Sequence, residues 1–301
     1  MRVVRAGIVD VGANTLRLLI ATLDDRERVV PVFQDKQQLG LGEEIERSNG
    51  LIGDLKLAEA AAVAKGYVRR ARKLGCEQIE ILVTSPGRQS VNGSALVDTL
   101  REATGVSTRV LDAEEEGALA WRGAVEAEEL LPATVAVCDV GGGSTQLVVG
   151  TLEGGPAWMR SVDVGSLRLT RRAIPGDPPS DEDLAAARAE VAASFAGLTP
   201  PLPMAALATG GTARGLRRIV GRELGPTQFV TAEQRLTGRA SRDVARSFGV
   251  DRMRARTLPA GTIVLAEAQR RLGVPLLVAR GGLREGAASA LLLAEVASAT
   301  G

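Results

Sequence analysis

Residues 135–152 read VAVCDVGGGSTQLVVGTL. An apolar run ends on Asp139, three glycines turn the chain, and a second apolar run leads away, the pattern of a β-hairpin with a glycine-rich tip. Residues 6–23, AGIVDVGANTLRLLIATL, repeat it at an offset of 129 (6 onto 135). Asp10/Asp139, Val11/Val140, Gly12/Gly141, Leu18/Leu147, Thr22/Thr151 and Leu23/Leu152 are identical, and most other positions exchange apolar for apolar or small for small. A hairpin that recurs once per half predicts two related domains.

The intervening sequence turns helical. Leu57, Ala61, Ala64 and Val68 recur at helical spacing within 55–73, and further helices are expected at 94–103, from Asp112 towards Gly123, and at 181–195, 212–220, 231–247, 261–272 and 284–298. Strands are expected at 77–83, 205–208 and 276–279, with loops at 174–180 and 198–203. Strands alternating with helices define an α/β chain. The repeat sets a first domain at 1–122 and a second at 123–301, with the closing helix free to pack back onto the first.

The composition narrows the chemistry. The 301 residues include no histidine, which removes Ser-His-Asp and Cys-His catalysis and His-ligated zinc. Two cysteines, Cys76 and Cys138, make neither a zinc site nor a disulfide framework. A metal is then a hard, oxygen-bound ion such as Mg²⁺, and a general base is drawn from Glu, Asp, Lys, Tyr or Cys. Thirty-seven basic and thirty-six acidic residues leave a net charge of +1, and only two Trp, one Tyr and four Phe are present. Neither bulk electrostatic capture nor a base-stacking platform for nucleic acid is expected. With no leader and no apolar stretch long enough for a membrane span, the expected setting is the cytoplasm, away from membranes.

Both hairpin tips suit an anion. Glycines let backbone N–H groups approach a phosphate. The residues that follow, Asn14 and Thr15 in one copy and Ser144 and Thr145 in the other, carry donors, and the aspartates can hold a cation that bridges phosphate oxygens. A hairpin whose aspartate only caps its own backbone is the plainer account of one copy; two equivalent copies argue for ligand binding. In DAEEEG, Asp112 and Glu115 form a capping box, which leaves Glu116 as the candidate base. In VTSPGR, Ser85 is the expected N-cap and Pro86 N1, placing Arg88 in the first helical turn, where it opposes the dipole unless an anion binds both. ATGGT, with Gly210 and Gly211, and ARGGLREG are further strand–glycine–helix turns.

With these stretches in hand, IVDVGANTLRLLI, VTSPGRQSVN, LDAEEEGALAWRG, VCDVGGGSTQLVVG, SVDVGSLRLT, ATGGTARGL and GGLREGA, the chain resembles the exopolyphosphatase and guanosine pentaphosphate phosphohydrolase family, in its short two-domain form. That family lies in the superfamily that joins actin, the acetate and sugar kinases and the heat-shock chaperones. The resemblance implies two actin-like (ribonuclease H-like) domains with the active site in an interdomain cleft, and Mg²⁺-dependent hydrolysis of the terminal phosphoanhydride of polyphosphate. It makes Glu116 the water-activating base. Phosphate would be bound by Asn14, Thr15, Arg88, Gly141, Gly142, Gly143, Ser144, Thr145, Gly210, Gly211 and Arg256, with Asp10 and Asp139 at the metal. A homodimer is implied too.

The chain departs from the family where Gln146 replaces the usual glutamate near the metal, and where Pro86 and Gly87 stand in the Arg88 turn. Three rival readings accompany the exopolyphosphatase: the sister hydrolysis of guanosine pentaphosphate, a superfamily kinase, and a non-catalytic sensor of polyphosphate or nucleotide.

Overall fold

The computed structural model describes residues 4–300. Its strands are β1 (Ala6–Val11), β2 (Thr15–Leu23), β3 (Val29–Gln38), β4 (Gln78–Val83), β5 (Ser107–Val110), β6 (Thr134–Val140), β7 (Thr145–Thr151), β8 (Gly155–Val162), β9 (Ala205–Thr209), β10 (Glu223–Leu224) and β11 (Leu276–Val278). Its helices are α1 (Leu41–Arg47), α2 (Asp54–Lys73), α3 (Ser85–Gln89), α4 (Gly93–Thr104), α5 (Ala113–Glu126), α6 (Ser166–Ala173), α7 (Asp181–Ser194), α8 (Gly210–Val220), α9 (Pro226–Leu236), α10 (Ser241–Phe248), α11 (Arg252–Leu272) and α12 (Leu283–Thr300).

The chain divides into two units, one running to Ala127 and resuming at Gly281, the other spanning Glu128–Arg280. The expected division at 122/123 cuts α5, which continues without a break to Glu126. The first unit holds a sheet ordered β3-β2-β1-β4-β5, the second one ordered β8-β7-β6-β9-β11-β10. Apart from the short β10, the two orders are the same. The repeat seen in sequence is therefore a repeat of topology: a three-stranded antiparallel meander whose first strand pairs in parallel with the strand of a βα crossover.

Strands β1 and β6 are apolar and buried on both faces, as central strands require. Strands β3 and β8 form sheet edges and are largely exposed; each adds a third strand to a meander that the apolar pattern ends at two. Helix α1, α6 and strand β5 were also unforeseen. The helix expected at 231–247 is two, α9 and α10, because Gly238 takes a left-handed φ of 69° between them. Helix α11 starts well before the expected Gly261: Asp251 caps it, accepting from Arg254 N at 2.8 Å, and Pro259 is carried inside it.

In the first unit, α2 and α4 cover one sheet face; α5 and α12 cover the other through Ile8, Leu19, Ala21, Leu82, Leu111, Ala120, Leu283, Ala287 and Ala288. The α5–α12 crossing is backbone against backbone. A β-carbon at Gly286 would stand 2.0 Å from the Leu119 carbonyl oxygen, and one at Gly123 would stand 2.0 Å from that of Gly282. In the second unit a single core gathers β6, β7, β9, β11 and the helices from α6 to α11. Glu128 sits at its start with a nearly buried carboxylate, taking both Oε contacts from Arg222 Nη2 at 2.7 Å and one from the Arg280 backbone N–H at 3.1 Å. Among the described residues, no helix is long and apolar enough to cross a membrane.

Two outcomes follow from these contacts. Gly286→Ala must part α5 from α12, so a thermal melt is expected to show a loss of about 1–3 kcal/mol or more, the range for overpacking. Burial pushes the Cys76 thiol up to about 11, and burial together with Asp139 pushes Cys138 higher still. Both thiols then stay protonated at pH 8, and a thiol reagent is expected to modify neither until the chain unfolds.

Candidate functional site

Helix α5 sorts three consecutive glutamates. Asp112 caps it, accepting from Glu115 N at 2.7 Å, while Glu115 Oε2 accepts from Asp112 N at 3.1 Å, so the expected capping box forms. Arg109 pairs with Glu115 and Glu80 on the strand side. Successive helical residues turn by about 100°. Glu116 thereby rotates onto the inner face with Gly117 and Ala120, and it is only 6 % exposed. Its Oε2 lies 2.6 Å from Arg88 Nη2, and Arg88 Nη1 donates to the Leu111 carbonyl at 2.6 Å. The expected base and the expected phosphate arginine are thus brought together.

Arg88 reaches this place by a route other than the expected one. The cap residue of α3 is Thr84, not Ser85, and its hydroxyl donates to the Val11 carbonyl at 3.3 Å instead of capping the helix. Arg88 lies at the fourth position of a five-residue helix and turns towards α5. Glycines make the room: a β-carbon at Gly87 would stand 2.8 Å from Val110 Cγ2, and one at Gly93 would stand 2.1 Å from the Gly87 carbonyl oxygen. The Gly87 departure thus seats α3 on β4, β5 and α4.

The two hairpin tips share a backbone bond. Gly12 N donates to Thr15 O at 3.1 Å, and Gly141 N to Ser144 O at 3.0 Å, the equivalent pair. Beyond that they differ. In the first unit, the Asn14 carbonyl accepts from Leu39 N and Gly40 N, and Thr15 Oγ1 accepts from Arg17 Nε at 3.1 Å. In the second unit, the Gly141 carbonyl accepts from Ser166 N, and that of Gly142 from Leu167 N and Arg168 N. These carbonyls point into the start of α6, and peptide planarity turns the N–H groups of Gly142 and Gly143 the opposite way. Thr145 is fully buried and donates to the Val164 carbonyl at 2.6 Å, so strand alternation makes it an anchor of the loop.

Register sets the surroundings of each aspartate. Asp139 pairs with Gln146 on β7 and with Thr209 on β9, and Gln146 pairs with Ser161 on β8, a polar row across one sheet face. Gln146 Nε2 donates to Ser144 Oγ and Ser161 Oγ, both at 3.1 Å. Gln146 Oε1 and Thr209 Oγ1 are buried with no partner among the described residues, a state that costs about 1–3 kcal/mol per atom. Asp10 instead pairs with Arg17 on β2, which pairs with Lys36 on β3. No three carboxylate or thiolate side chains converge on a metal position among the described residues. The Asp139 row, all oxygen and partly unsatisfied, suits a hard divalent cation such as Mg²⁺.

The turn after β9 closes on the same row. Gly210, at φ 87°, would carry a β-carbon 2.7 Å from Asp139 Oδ1. A β-carbon at Gly211 would stand 2.0 Å from Arg254 Nη2, and one at Gly215 2.8 Å from Leu258 Cδ2. Arg254 and Leu258 therefore lie along Gly211 and Gly215, one helical turn matched to another. Arg254 is the arginine beside the glycine turn. Arg256 lies on another face of α11 and donates to the Ile174 and Pro175 carbonyls. Burial holds its guanidinium below the ordinary arginine value, against the pull of Asp177 and Asp183.

Two sheets of one order, each with an aspartate at a glycine-rich hairpin tip, define a two-domain actin-like α/β protein. Residues 19–295 match the Ppx/GppA phosphatase family, and the chain belongs to it, as a hydrolase of the phosphatase class. It is 29% identical over 299 residues to exopolyphosphatase 1 of Mycobacterium tuberculosis, covering 94% of this chain and 86% of that one. It is 27% identical over 296 residues to exopolyphosphatase 2 of the same organism, covering 90% and 92%. Among solved structures it resembles an exopolyphosphatase from Cytophaga hutchinsonii with a TM-score of 0.86 at 21% identity, covering 96% and 98% of the two chains. An Aquifex aeolicus member of the Ppx/GppA family gives a TM-score of 0.82 at 22% identity, covering 98% and 99%.

Gly211→Ala meets only the mobile end of a side chain. It is expected to displace Arg254 while costing the thermal melt less than a clash with backbone would. Gly210→Ala meets Asp139 at a left-handed φ, and is expected to lower the melt as well.

Proposed function

We propose that this phosphatase hydrolyses the terminal phosphoanhydride of inorganic polyphosphate, releasing orthophosphate, and that it depends on Mg²⁺. The observation that carries the reading is the buried Glu116 carboxylate held by Arg88, in a chain without histidine whose relatives are named exopolyphosphatases.

Arg88 holds the Glu116 carboxylate in place before substrate arrives. A terminal phosphate offers the guanidinium a second, more highly charged partner. As Arg88 turns to the phosphate, Glu116 Oε2 is released to accept a proton from water. The water oxygen forms the new bond to the terminal phosphorus in line, and the bond to the bridging oxygen breaks, leaving orthophosphate and a chain shorter by one phosphate. Within the second unit, the Gly142 backbone N–H and the Arg254 guanidinium beside Gly211 are donors suited to phosphate oxygens. Mg²⁺, when bound, neutralises phosphate charge. Such catalysis is mostly positioning and electrostatics, which this inventory supplies.

Phosphate release from long-chain polyphosphate, with and without Mg²⁺, tests the reading beside Glu116→Gln. The variant is expected to lose about 10²-fold or more of its turnover while still binding polyphosphate. Unchanged turnover would refute Glu116 as base. Release from guanosine pentaphosphate alone would assign the sister activity, and binding with no release from either would assign the sensor.

A further inference from the structure

The two aspartates that the repeat makes equivalent face different side chains across their sheets. At the offset of the repeat, Arg17 occupies the place of Gln146. Directly opposed residues on neighbouring antiparallel strands bring their β-carbons to about 4.5–5.5 Å. Asp10 therefore has a guanidinium for its neighbour, with Lys36 one strand further on, and a divalent cation placed there would be repelled. Asp139 has an amide on one side and a hydroxyl on the other. Gln146 is 1 % exposed and Thr209 2 %. The Gln146 amide nitrogen is spent on two serines, so its oxygen is turned away from Ser161. Both Gln146 Oε1 and Thr209 Oγ1 end in buried positions with no partner among the described residues.

We propose that this row takes the divalent cation, that Asp10 does not, and that the cation binds together with phosphate rather than before it. Asp139 supplies one charged oxygen, Gln146 and Thr209 supply neutral ones, and phosphate oxygens complete the shell. Affinity for a hard cation follows the charge count of its ligands, and a single carboxylate among neutral oxygens holds it weakly. The substrate that enters is then a metal–phosphate complex, and Gln146 is the residue that sets this order. The inference rests on the phosphatase reading for the cation's role, but its test involves no turnover.

Mn²⁺ can stand in for Mg²⁺, with free Mn²⁺ followed by electron paramagnetic resonance on the full chain. Alone, the protein is expected to bind Mn²⁺ at about 10⁻³ M, the weak end of oxygen-ligated sites. Methylenediphosphonate, which cannot be hydrolysed at its bridge, is expected to tighten this beyond what it binds by itself. Gln146→Glu is expected to tighten Mn²⁺ binding about 10-fold or more without the diphosphonate, and Thr209→Val to weaken it by a similar factor. Asp10→Asn should change neither measurement. Micromolar binding by the unmodified chain alone, no gain in Gln146→Glu, or loss of binding in Asp10→Asn would each overturn the proposal. Because Gln146→Glu is a gain, a misfolded variant cannot mimic it. A negative result here leaves the Glu116→Gln assay untouched, so the two readings fail separately.

Discussion

Parallel pairing between the first strand of each meander and the next crossover strand is the constraint on which the rest depends. In the second unit it aligns Asp139 of β6 with Thr209 of β9, so the residue after Thr209 must turn directly beside a carboxylate. Only a residue without a β-carbon fits, and Gly210 stands there. Gly211 then lies against α11, which fixes Arg254. One register thus places the aspartate, the turn and the arginine. In the first unit the same pairing, β1 with β4, brings Thr84 to the Val11 carbonyl and starts α3 where Arg88 can reach α5.

The repeat explains why the halves share a framework and the charges explain why they differ. Both tips close with one equivalent backbone bond. The first unit sets Arg17 and Lys36 in register with Asp10 and pairs its buried Glu116 with Arg88. The second carries the carbonyl-anchored glycine loop and the unsatisfied oxygens. One scaffold has been used twice, and the side chains on each aspartate's neighbouring strands make the two copies different.

Much of this was legible from residues alone. The paired hairpins, the α/β class and the capping box at Asp112 rest on local patterns that tertiary structure did not override. Glu116 was legible because the box used Glu115 and left it over. The edge strands β3 and β8 were not, since an exposed strand such as VVPVFQDKQQ keeps no apolar alternation. Pro259 masks the early turns of α11 in sequence, and with them the helical phase that separates Arg254 from Arg256. The signal was present: Asp251 is a proper cap, and Gly211 and Gly215 match Arg254 and Leu258 at one-turn spacing. The partners of Asp10 and Asp139 needed strand register, which a hairpin pattern without its third strand does not supply.

The return of α12 to the first unit has a consequence for synthesis. The sheet face carrying Ile8, Leu19, Ala21, Leu82 and Leu111 is completed by Leu283, Ala287 and Ala288, which emerge from the ribosome only after the whole of Glu128–Arg280. The second unit is contiguous and can finish first. The earlier-made unit must wait with an apolar face open, and Gly123 ready for a helix that has not yet been translated. The order of translation and the order of completion are therefore reversed, and the nascent chain is most exposed to aggregation and chaperone capture while its C-terminal segment is still being made.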